Sequence, residues 1–147
     1  MIRGRLVGVP GRRRPFVTAR LAIASQQIAD DVNFLVDTGA DSTLLAPADA
    51  LFLGFHTAHL PPGPSSTGVG GLTTTVYAAA ALTIGSHMYD LSLRILAPRS
   101  PRQQSALARI PSLLGRDILS HFALFFEERT GKVLLLEPHE ADALGLS

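Results

Sequence analysis

The residues with most claim to chemistry are Phe34-Leu35-Val36-Asp37-Thr38-Gly39-Ala40, where a carboxylate follows directly on an apolar stretch. A carboxylate in that position costs free energy unless it is hydrogen-bonded or put to use. Gly39 lets a loop backbone come close to another group without a Cβ clash, and Thr38 can both donate and accept. The chemistry open to such a group is proton transfer. Alone the triplet says little, since average usage puts one in about a few percent of chains this long. Other candidates are weaker. His56 and His59 have an H-x-x-H spacing, but they stand between Gly54 and Pro61 with no adjacent glutamate and no third ligand. No metal or cofactor is expected there, and His87, His121 and His139 read as isolated side chains without a function.

The elements that must position Asp37 follow from periodicity. Val17, Ala19, Leu21 and Ile23 alternate with Thr18, Arg20 and Ala22, the period of a half-buried strand. A turn around 25–27 leads to a second strand ending in Val32, Phe34 and Val36. Residues 47–53 suit a short helix, with Pro47 near its start and Gly54 just past its end. A Pro-, Gly- and Ser-rich stretch over 61–66 opens a hairpin whose tip is Gly68-Val69-Gly70-Gly71, and a strand leaves it through Val76 and Tyr77. Gly85-Ser86 turns the chain into a strand carrying Tyr89, Leu91, Leu93 and Ile95. Residues 97–109 read as a long polar, mobile loop. A buried strand over 110–115, a short helix over 116–121 and a closing hairpin through Leu136 complete the pattern. Many short strands and only two brief helices predict a mostly-β, barrel-like domain.

Composition is compatible with this. The chain has 147 residues, 46% hydrophobic and 17% charged, which suits one globular domain with its own core. Its net charge of +1 offers no global field for nucleic acid or a membrane. The absence of cysteine excludes disulfides, thiolate metal sites and cysteine nucleophiles. No apolar run has membrane-spanning length and the first residues lack a signal-peptide core, so a cytoplasmic location is expected. Arg3, Arg5, Arg12, Arg13 and Arg14 make residues 1–13 a basic, solvated arm, with a removable pro-segment or an anchor for an acidic partner as further roles.

The run FLVDTGADSTLL resembles the active-site segment of the retropepsin-like aspartic peptidases. Three more segments match that family in its order. Arg14 to Thr18 resembles the approach to the first retroviral strand, Gly68 to Gly71 the flap tip, and Leu113-Leu114-Gly115-Arg116-Asp117 the signature before the family's helix. The resemblance covers roughly residues 14–136. It implies an all-β closed barrel, one lobe per chain, with one short C-terminal helix. The expected organisation is a basic arm over 1–13, the peptidase domain over 14–138 and a tail over 139–147.

The resemblance also implies an aspartic endopeptidase that needs no metal and no cofactor. Asp37 would be the catalytic carboxylate, with Thr38 bonding across a dimer axis and Gly39 leaving room for substrate. Peptide hydrolysis needs a base and an acid together. The chain carries no second D-T-G or D-S-G, so the partner acid would be Asp37 of another copy in a homodimer. Ala40, Asp41, Val69, Gly70, Gly71, Leu113 and Leu114 would contact an extended polypeptide, with hydrophobic residues preferred at the cut. Asp41 and Arg116 would pair within one subunit, joined by Arg14 from the other. Asp117 stands where retroviral enzymes have asparagine, and the hairpin after the helix is fuller than theirs. Both features are more similar to the cellular and bacterial relatives. The competing function is a dimeric module of the same fold that binds peptides or scaffolds an assembly without turnover.

Overall fold

The structure is a computed structural model that describes residues 1–56, 62–66 and 73–146, with 62–66 and 73 described by backbone alone. In chain order the strands are β1 (Ile2–Arg3), β2 (Arg5–Val7), β3 (Arg14–Ile23), β4 (Ile28–Val36), β5 (Leu44–Leu45), β6 (Pro62–Ser66), β7 (Thr73–Ile84), β8 (His87–Ala97), β9 (Ser112–Leu114), β10 (Ala123–Glu127) and β11 (Lys132–Leu136). The helices are α1 (Pro47–Leu53), α2 (Pro101–Leu107), α3 (Arg116–Leu119) and α4 (Pro138–Ala143). Among the described residues none is long and apolar enough to cross a membrane.

Six strands close into a barrel. β3 pairs with β4, β4 with β9, β9 with β5, β5 with β8, β8 with β7, and β7 returns to β3 where Leu21 faces Leu82. Closure removes the free edges that an open sheet would present. The alternation in β3 and β4 explains what fills the ring. Val17, Ala19, Leu21 and Ile23 from one strand and Val32, Phe34 and Val36 from the next are all buried, while Thr18 and Arg20 between them are exposed. Leu82, Ile84, Leu93 and Ile95 join the same core from the β7–β8 hairpin. Gly85 turns that hairpin at a φ of 59°, a conformation that favours glycine. A separate sheet, in the order β1-β11-β10, packs Val133 and Leu135 onto the barrel.

Three expectations are corrected. Residues 2–7 are not a free arm: Ile2 and Leu6 pack against the core, and β1 and β2 pair with β11 and β3. Apolar residues between the arginines give this segment a strand pattern that its charge obscures. Residues 97–109 are not a structureless loop, since α2 occupies most of them. Ser100 caps it by accepting from Gln103 N–H at 3.1 Å, Pro101 sits in the first turn and Leu107 is buried. The described residues hold four short α-helices where one or two were expected: besides α2, α4 runs from Pro138 into the predicted tail and starts with a capping box between Glu137 and Glu140.

Candidate active site

Asp37 sits where the parallel β4–β9 ladder runs out. Val36 is level with Leu114, and the Asp37 N–H donates to the Leu114 carbonyl at 3.1 Å, one step beyond the strand. The chain then turns: Gly39 N–H donates to Asp37 Oδ1 at 2.9 Å, and Ala40 N–H to the Asp37 carbonyl at 3.2 Å. A Cβ on Gly39 would come within 3.3 Å of Asp37 Oδ1, so glycine keeps that oxygen uncrowded. Asp37 is half-buried, and Thr38 and Gly39 are exposed. Among the described residues, the hydrogen bond to the Asp37 carboxylate comes from the Gly39 N–H.

The rest of the loop is tied to α3. Arg116 N–H donates to the Ala40 carbonyl at 2.9 Å and Asp117 N–H to the Asp41 carbonyl at 3.2 Å. The Arg116 side chain gives Nη1 to the Thr38 carbonyl at 2.8 Å and pairs through Nη2 with Asp41. With side chains 52% and 87% exposed, that ion pair is worth about 0–1 kcal/mol. The heavier anchor is Asp117. Its Oδ1 accepts the Thr43 hydroxyl at 2.7 Å and its Oδ2 the Thr43 N–H at 3.0 Å. Thr43 is fully buried, and leaving such a group unbonded costs about 1–3 kcal/mol. The same hydroxyl accepts Gly115 N–H at 3.2 Å. Gly115 has no room for a side chain, since a Cβ would stand 2.5 Å from the Ser42 carbonyl carbon.

A second support lies behind β5. Buried Ser112 accepts the Ala46 N–H at 2.9 Å and donates to Asp49 at 2.5 Å, fixing the start of α1. Arg94 Nη2 reaches the Ser42 carbonyl at 3.0 Å from β8. These residues were not singled out in the sequence. The usable signal was Thr43 and Ser112, polar residues standing directly before the apolar pairs Leu44-Leu45 and Leu113-Leu114.

The other predicted site residues divide. Leu113 is half-buried and packs with Leu44, Leu96 and Leu107 beside the loop. Leu114 is corrected: it is fully buried in the barrel core, because adjacent strand residues point to opposite faces, and it cannot line a cleft. Arg14 lies over the Phe16 ring at 5.7 Å. Val69, Gly70 and Gly71 lie outside the described residues, as does His59. His56 is exposed, and its backbone makes paired bonds with the Gln26 amide, both at 2.8 Å.

A family model described as aspartyl protease matches residues 23–118, which span the Asp37 loop, the β7–β8 hairpin and most of α3. The chain belongs to the aspartyl protease family. No curated protein matches it. Among solved structures, a retropepsin-like aspartic protease from Rickettsia conorii is similar at 18% identity and a TM-score of 0.61, covering 89% of this chain and 98% of its own. The EIAV protease in complex with the inhibitor HBY-793 is similar at 23% identity and a TM-score of 0.51, covering 78% and 92%. The aspartyl protease chain thus has the retropepsin-like fold, and its motif aspartate stands at the end of a barrel strand.

Proposed function

We propose that this chain is an endopeptidase that cuts extended polypeptides as a homodimer, with Asp37 of each copy forming one catalytic dyad. The observation that carries the reading is the contrast among the loop carboxylates. Asp41 pairs with Arg116 and Asp117 holds Thr43, while among the described residues Asp37 receives the Gly39 N–H on one oxygen, which leaves the other for a water or a second acid. A lone carboxylate cannot be acid and base at once. Two brought close share one proton and titrate as a pair, as aspartic proteases in general do. The ionised member takes a proton from a bridging water, which attacks the scissile carbonyl, and the protonated member polarises that carbonyl.

Support for the second copy comes from β10. It is an outer strand of its sheet, and Leu124, Phe125 and Phe126 on it are 37%, 38% and 46% exposed. An unpaired strand edge with exposed apolar side chains invites another strand. β10 begins shortly after α3, which is bonded to the Asp37 loop, so pairing two β10 edges antiparallel joins segments that lead directly to the two acids. Half-buried Leu113 beside the loop favours apolar residues at the cut.

The test is cleavage of a hydrophobic-rich peptide library by the wild type and by Asp37→Asn, whose side chain can still accept the Gly39 N–H. Loss of at least about 10²-fold in turnover, with rate per chain rising with concentration, is the expected result. Equal cleavage by the two proteins would sink the assignment. Peptide binding without turnover at any pH would instead mark a binding module of the same fold.

A further inference from the structure

The sequence presents His87 and His139 as unconnected, 52 positions apart. The fold brings both to one carboxylate. Glu137 leaves β11 and holds His87 Nε2 through Oε1 and His139 Nδ1 through Oε2, the latter at 3.3 Å. Donor atoms of Glu137, His139 and Glu140 all lie within 4.8 Å of one another, and His87, outside that cluster, meets Glu137 Oε1 from the start of β8. His87 and Glu140 are also held by other groups. The His87 ring meets Phe122 edge-on at 6.4 Å and tilts against Tyr89 at 6.2 Å. Glu140 accepts the Glu137 N–H through Oε1 at 3.1 Å, and the same oxygen holds the amino terminus at 2.6 Å, which leaves Oε2 for another partner.

We propose that His87, Glu137, His139 and Glu140 form a binding site for a divalent transition-metal ion, with Zn²⁺ the best fit. Two imidazoles and two carboxylates are a zinc donor set, with bonds of about 2.0–2.2 Å. Imidazole nitrogen disfavours Mg²⁺ and Ca²⁺, which take oxygen donors. The ion would stand where Glu137 now touches both rings directly. His87, exposed His139 and the second Glu140 oxygen close around it by side-chain rotation. Because His87 belongs to the barrel hairpin while Glu137, His139 and Glu140 follow β11, the ion ties the barrel to the three-stranded sheet. This holds whether or not Asp37 is catalytic.

The experiment is a titration of the metal-stripped full chain with Zn²⁺ against a zinc-binding dye, with thermal unfolding measured alongside. A single zinc ion per chain should bind and raise Tm, and Mg²⁺ should leave Tm unchanged. His139→Ala and His87→Ala should each weaken zinc binding by at least about tenfold. His56→Ala, which removes an exposed histidine elsewhere, should not. Co²⁺ in place of Zn²⁺ should give the visible bands of low-coordinate cobalt in the wild type, and these should vanish in His139→Ala. If His87→Ala fails to fold, His139→Ala decides alone, since that ring is exposed. No zinc binding, binding unchanged in His139→Ala, or binding lost with His56 would overturn the proposal and leave only His–Glu contacts.

Discussion

The two ends of the active loop are built to opposite plans. At the Thr43 end the polar groups are committed within the chain, to Asp117 at 2.7 and 3.0 Å and to Gly115 at 3.2 Å. At the Asp37 end, among the described residues, the carboxylate receives one N–H from within its own turn, at 2.9 Å. The same contrast recurs at larger scale between the barrel, whose ring closes on itself, and the small sheet, which ends in β10 with Phe125 and Phe126 in the open. Among the described residues, the polar groups that hold the loop are bonded within the chain, and the Asp37 carboxylate and the β10 edge are less so. A group with spare bonding capacity beside a fully bonded support is where function is expected.

That contrast can be broken most forcefully at Asp117. Asp117→Ala strands the buried Thr43 N–H and hydroxyl, and urea denaturation should register about 1–3 kcal/mol for each. Asp37→Ala should stay within about 0.5 kcal/mol of wild type. Equal costs at the two aspartates would erase the distinction.

Gly115→Ala comes next. Its Cβ would collide with the Ser42 backbone, which no side-chain rotation relieves, so a loss toward the upper end of about 1–3 kcal/mol is expected in the same assay. Unchanged stability would mean that α3 and the loop are not in tight contact.

Phe126→Lys sharpens the comparison between barrel and sheet. A charge on an exposed strand edge should leave monomer unfolding untouched while weakening self-association at least about tenfold by analytical ultracentrifugation, equal to ~1.4 kcal/mol. Association that ignores the lysine would place the interface elsewhere.

The smallest effect concerns pH. The hydrogen bond from the amino terminus, followed by that from the Glu137 N–H, holds the Glu140 carboxyl below its ordinary range. A folded pKa that is lowered contributes stability above the ordinary glutamate range, and that contribution fades as pH falls through the lower folded value. Glu140→Gln should therefore flatten a small part of the acid limb of a Tm–pH curve. Tyr89, raised first by burial and then by the Glu137 charge, should ionise above the usual tyrosine range in an absorbance titration.

Much of this was legible because it is local. The period-two pattern of β3 and β4 assigned Val17 to Ile23 and Val32 to Val36 to one buried face, and Gly54 and Gly85 marked the end of α1 and the β7–β8 turn. The D-T-G motif located Asp37. Other elements were hidden by composition. The polar surface of α2 read as a loop despite its Ser100-Pro101 start, and the arginines of the first segment masked the apolar Ile2 and Leu6 between them.

The order of residues by itself determined most of the barrel strands, their turns and the acid at the end of one of them, since backbone sterics and side-chain alternation act within a few positions. Tertiary structure alone decided that Asp117 would grip Thr43 across 74 positions, that Leu114 would face inward while Leu113 did not, and that two distant histidines would share Glu137. Such contacts form only when barrel closure brings remote segments together, and no periodicity along the chain encodes which partner each segment will meet.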